Sequence, residues 1–151
     1  MPNARGLCLP IAMLLLVSCV FDSISGPPRG FPHAAATNDC GPTDGEAVSI
    51  FLTAAPMQSL NPSAPYLRAT VLQSVNAVSG RSWSVGWGSA EGYATFYSAA
   101  TVFQFATSGT VTVTSVSANS VEGTADVSFP NADRIRGSFK ATWIPNSGLC
   151  G

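Results

Sequence analysis

The chain has 151 residues and a net charge of −1, from seven Arg plus Lys against eight Asp plus Glu, and only 10% of it is charged, against about 25% in an average domain. That length holds one domain and excludes a second. The scattered charges leave no basic footprint, which excludes nucleic acid as a partner, and the abundance of Ser, Thr, Gly and Ala fits an exported β protein.

The first element is residues 1–18. Arg5 and the free amine precede an apolar stretch from Leu7 to Val17 that contains Pro10. A membrane-spanning helix needs about twenty apolar residues, so this shorter run reads as an export signal. It ends in Leu16-Val17-Ser18-Cys19, which resembles the lipobox of bacterial lipoproteins: a Leu, a small or branched residue, a small residue and a Cys directly after the apolar run. The resemblance implies that the Cys19 sulfur takes a diacylglycerol, that the chain is cleaved before Cys19, and that the new amine is acylated. Two or three acyl chains hold a protein on a membrane without any spanning segment. Val20 stands where that family's inner-membrane retention signal has Asp, which favours the outer membrane. The alternative is cleavage after Ser25, which would release a soluble secreted domain.

Either cleavage removes Cys8, and Cys40 and Cys150 remain as a pair. In an oxidising compartment they are expected to form a disulfide closing a loop of about 110 residues and contributing on the order of 4 kcal/mol. Two cysteines and one His without ligand spacing do not make a zinc site, and no cofactor is expected.

Residues 19–39 come next. With Pro27, Pro28 and Pro32 and no apolar periodicity, the segment reads as a flexible tether, and His33, the one His of the chain, as a solvated tether residue.

From residue 40 to 151 the pattern is all-β: short runs of Val, Thr, Phe, Tyr and Trp alternate with turn residues. Strands are expected at 47–54, 66–76, 82–88, 92–98, 101–106, 110–117, 121–129 and 134–143, about eight antiparallel strands in a small meander barrel or a two-layer sandwich. An even strand count would bring Cys40 and Cys150 to one end. The last two strands alternate most clearly, with Val121, Gly123, Ala125, Val127 and Phe129 facing Ile135, Gly137, Phe139, Ala141 and Trp143. A three-residue loop at 131–133 would pair Val127 with Gly137 and Ala125 with Phe139, and would place Asp126 between Arg136 and Lys140 outside. A bulge near Ser115 is needed to bring the preceding strand into phase. The stretch from Gly109 to Trp143, with a G-T-x-T strand, a strand with an internal Gly and a closing G-x-F strand, resembles the ending of many small bacterial lipoproteins, as does Gly80-Arg81-Ser82-Trp83. That resemblance implies a β architecture and carries no catalytic residue across.

Chemistry is sparse. A lone His excludes a Ser-His-Asp or Cys-His arrangement in the domain. The carboxylates Asp44, Glu46, Glu91, Glu122, Asp126 and Asp133 fall in turns or on a wet face, which does not suit a paired-carboxylate glycosidase. An enzyme is therefore not expected. Binding remains: Trp83, Val85 and Trp87 would share a strand face, the indoles about 13 Å apart, with Tyr93, Phe96, Tyr97, Phe103 and Phe105 following. Exposed, that row would stack on a glycan or grip an envelope protein; buried, it is core, the favoured alternative. A carrier of small apolar ligands would need a hollow barrel. The reading is a lipid-anchored cell-envelope protein with a binding or structural role.

Overall fold

The computed structural model describes residues 26–146 and Cys150. Nine strands are found there: β1 (His33–Cys40), β2 (Glu46–Thr53), β3 (Tyr66–Val71), β4 (Arg81–Ser84), β5 (Gly92–Ala99), β6 (Val102–Phe105), β7 (Ser108–Val116), β8 (Ser120–Ser128) and β9 (Arg134–Trp143). They form one curled sheet in the order β4-β7-β8-β9-β1-β2-β3-β5-β6, a half-barrel. The all-β architecture expected from the alternating pattern is thus present.

Three features depart from expectation. The first is β1, which lies in the stretch expected to be tether. It pairs with β2 along its whole length, from His33↔Thr53 to Cys40↔Glu46, and with β9 in parallel through Ala35↔Thr142 and Ala36↔Trp143. Ahead of it, the Gly26 carbonyl accepts from the Ser138 N–H at 2.7 Å, and Phe31 is buried in the core against Phe96, ring centroids 6.2 Å apart. The Pro-rich composition that suggests a spacer instead shapes a wedge at the seam where β1 and β9 diverge. The sheet is therefore mixed, not wholly antiparallel. An odd strand count still brings the two cysteines together, because β1 and β9 run the same way and end side by side.

The second departure is the order of strands. The chain is not a meander, since β4 pairs with β7 rather than with its sequence neighbours. Only Ala106 and Thr107 separate β6 from β7. This continuous stretch belongs to β5 on one side through Ala106 N–H to Ala94 O, and to β8 on the other through Thr107 N–H to Ser128 O, both 2.9 Å.

The third is register in the β8–β9 hairpin. Val127 pairs with Ile135, Ala125 with Gly137 and Gly123 with Phe139, two residues from the expected pairing. The turn is longer than three residues: Phe129 folds inward, its N–H bonding Asp133 O at 2.9 Å, and Ala132 takes a left-handed φ of 62°. Inside and outside are unaffected, because a shift of two preserves the face of every side chain. The β7–β8 register does shift between Val113 and Ser115, where the bulge was expected.

The core lies on the concave side and includes Val48, Ile50, Leu52, Leu67, Val71, Val111, Val113, Val121 and Val127, with Trp83, Phe129 and Phe139 as its large fillers. Cys40 and Cys150 stand at disulfide distance, with Cα atoms 5.4 Å apart across 110 residues of chain. The chain just beyond β9 runs along β1 beside them. Ile144 N–H donates to Ala36 O at 2.8 Å, Asn38 Nδ2 donates to Asn146 O at 2.8 Å, and Asn146 N–H donates to Asn38 Oδ1 at 3.0 Å.

Candidate functional site: an aromatic strip on the convex face

Trp83 and Trp87 do not share a face. Trp83 is 3% exposed; its Nε1 donates to Val78 O at 3.0 Å and Arg81 stacks over its ring at 4.6 Å. Val85 is likewise buried. β4 stops at Ser84, and a turn closed by Ser89 N–H to Gly86 O, with Gly88 at φ +77°, then reverses the chain. Trp87 sits in that turn, 79% exposed. Alternation by strand period fails here because the strand has ended. Tyr93 lies half-buried on the convex side of β5, paired in register with Thr70.

Trp87 is one end of a continuous row of rings. Its centroid lies 5.8 Å from Phe105, which lies 5.5 Å from Phe103, which lies 5.7 Å from Tyr97. Tyr97 stacks on Tyr66 at 4.5 Å, and Tyr66 meets Phe51 at 6.4 Å. The pairing registers set up the row: Tyr97 stands opposite Phe103 across β5–β6 and opposite Tyr66 across β3–β5. The exposed end is strongly apolar, with Phe103 at 51% and Phe105 at 44% exposure. Nothing in the chain between Glu91 and Glu122 carries a charge.

The opposite end of the row is polar. Arg68 packs over Phe51 at 5.8 Å and forms an ion pair with Asp39. Ser49 Oγ donates to Asp39 Oδ2 at 2.6 Å and the Cys40 N–H to Asp39 Oδ1 at 2.9 Å. Burial disfavours the charged form of Asp39, but the Ser49 and Cys40 bonds and the Arg68 charge outweigh it and hold the carboxyl below its ordinary range. Burial and the neighbouring Tyr97 push the Tyr66 hydroxyl up. A cleft of about 250 Å³ opens here, lined by Asp39, Leu60, Asn61, Tyr66 and Arg68 among others.

A second, wider groove of about 540 Å³ follows the β1–β9 seam past Phe31, His33, Ser138 and Lys140. His33, expected in a solvated tether, starts β1 and is half-buried. Lys140 pairs with Glu122 at 2.7 Å, while Asp126 holds Arg134 through two bonds of 2.5 and 2.6 Å and lies 3.4 Å from Arg136. Arg134 thus takes the role expected of Lys140 at Asp126. Among the described residues no three of His, Cys, Asp and Glu gather as metal ligands would.

Sequence reasoning found Phe103, Phe105 and Tyr97 only as followers of the tryptophans and missed Tyr66, Arg68 and Asp39. The available signal was Phe103-Gln104-Phe105, alternating aromatics inside a charge-free window. Tyr66 needed a register that no sequence pattern sets. Cys19 and the lipobox lie outside the described residues. No protein-family model, no curated protein and no solved structure matches the chain.

Proposed function

We propose that the chain is a bacterial cell-envelope lipoprotein, anchored through lipid on Cys19, whose β-domain is a non-enzymatic module that binds a polypeptide partner on its convex aromatic strip. The observation that carries the binding reading is the exposed end of the strip: Trp87, Phe105 and Phe103 touch ring to ring and form one uncharged apolar patch. Singly exposed apolar residues are ordinary, whereas a contiguous patch marks an interaction surface. Its rings meet at 60° and 81°, a corrugated surface that suits interdigitating side chains better than the flat faces of sugar rings. The concave side is filled by its own side chains, which weighs against a small-ligand carrier. Asp39 and Asp126 are engaged by arginines and Glu122 by Lys140, which leaves them poorly suited to acid–base work.

Because the chain is packed onto the sheet from Gly26 onward, the spacer from Cys19 is seven residues and reaches at most about 25 Å. The module would therefore work close to the membrane that holds it.

Fractionation tests the anchor. The wild-type chain is expected in the membrane fraction, released by detergent and not by salt, and Cys19→Ala in the soluble fraction; a soluble wild type overturns the anchor. For the strip, purified cell-wall glycan is expected to leave the protein in the supernatant. Retention that Trp87→Ala abolishes would replace the polypeptide partner with a glycan.

A further inference from the structure

The two ends of the sheet differ in how they meet solvent. At the β4 end, the outward-pointing backbone groups of Ser84 are taken by side chains: its N–H donates to Glu91 Oε2 at 2.7 Å and its carbonyl accepts from Ser89 Oγ at 2.9 Å. Occupying an edge in this way keeps it from pairing with another chain.

β6, at the other end, is open. Backbone groups point alternately to the two sides of a strand. Ala106 N–H points toward β5 and Thr107 N–H away from it, toward Ser128 of β8. Phe103 and Phe105 share the phase of Thr107, so their N–H and C=O groups also point away from β5, and no strand among the described residues lies on that side. β8 would lie there had it continued past Ser128, but it turns inward at Phe129. The free edge of β6 is thus the vacated continuation of the β7–β8 ladder.

We infer that β6 is a dimerisation edge and that its occupant is β6 of a second copy of this chain, paired antiparallel about a two-fold axis through Gln104. This rests on the reading of the strip as a polypeptide-binding surface and is independent of the lipid anchor. Phe103-Gln104-Phe105 reads the same in both directions, so the strand is its own complement. Centred on Gln104, the pairing sets Phe103 of each copy against Phe105 of the other as hydrogen-bonded pairs, forming about four backbone hydrogen bonds. The two Gln104 residues then face each other in the closer, non-hydrogen-bonded position. On the convex side the aromatic row runs on unbroken from Trp87 of one copy to Trp87 of the other, and aromatic cross-strand pairs are among the favourable ones. No charge lies in the strand or its flanks to oppose the approach. The interface is isologous and closes at two copies.

Cysteine cross-linking of the exported full-length chain tests this. Gln104→Cys is expected to give a dimer on a non-reducing gel that collapses to monomer on reduction, while Ala118→Cys, exposed in the β7–β8 turn, stays monomeric. Adding Phe105→Lys to Gln104→Cys sets a cation beside the axis from each copy and is expected to lower the cross-linked fraction by about tenfold or more. The intramolecular Cys40–Cys150 link should persist and report the fold. A Gln104→Cys chain that remains monomeric or links only to a different polypeptide overturns the proposal, as does equal dimer from Ala118→Cys. A soluble wild-type chain would remove the anchor reading and leave this result intact.

Discussion

Gly123 shows how a single position fixes the hairpin. A Cβ there would stand 2.0 Å from Thr112 O and 3.0 Å from the Phe139 ring, so the residue opposite Phe139 must have no side chain. The large-against-small logic visible in the sequence is correct in kind, with Gly123 rather than Ala125 as the small partner. Gly123→Ala is expected to destabilise the fold by about 2–3 kcal/mol in urea denaturation, whereas Gly45→Ala, whose Cβ would meet nothing within 4 Å, should be near neutral. Asp39 sets an acid limit. Its carboxyl is held below the ordinary value of 3.8 when folded, so the folded state binds fewer protons than the unfolded one as pH falls through that range. The stability this site contributes is full above the unfolded pKa and is lost as pH drops through the folded one. Thermal unfolding from pH 6 to pH 2 should show Asp39→Asn with a shallower acid decline than wild type; an unchanged slope would place the acid sensitivity elsewhere, with Asp126 next, lowered by its Arg134 bond.

Eight of the nine strands are legible because each has alternation on one covered face or a dense β-branched run, and their bounds fall within a few residues of expectation except at β3 and β4. β3 ends at Val71, where a turn without Gly or Pro takes over, and β4 ends at Ser84, just ahead of the turn built on Gly86 and Gly88. β1 is illegible for a physical reason: in His33–Cys40 the residues Ala35, Ala36 and Thr37 are all buried, so both faces are covered, and alternation vanishes when a strand is covered on both sides. Three alanines, weak strand formers, complete the disguise. The wedge before it gives the sharpest test at this scale. Phe31→Ala should cost about 3–4 kcal/mol by chemical denaturation, while a free tether would make the substitution silent.

For the molecule as a whole, composition and alternation specify the all-β class, but not the order of strands, because pairing β4 with β7 and inserting β1 beside β9 depend on contacts between segments far apart in the chain. The aromatic strip is hidden for the same reason: three registers, β2–β3, β3–β5 and β5–β6, must be known before Phe51, Tyr66, Tyr97 and Phe103 become neighbours. The cysteine pair, by contrast, is legible by elimination. Closing a loop of 110 residues, its reduction should lower unfolding free energy by about 4 kcal/mol in paired denaturation curves, and β1 should loosen first since the link holds its end to the chain beyond β9. Anchor, staple and module meet in one determination, the intact mass of membrane-extracted protein before and after reduction. The expected mass begins at Cys19, carries acyl chains, and gains the two hydrogens that opening one disulfide adds. A chain beginning at residue 26 without lipid, or a mass unchanged by reductant, would contradict the account.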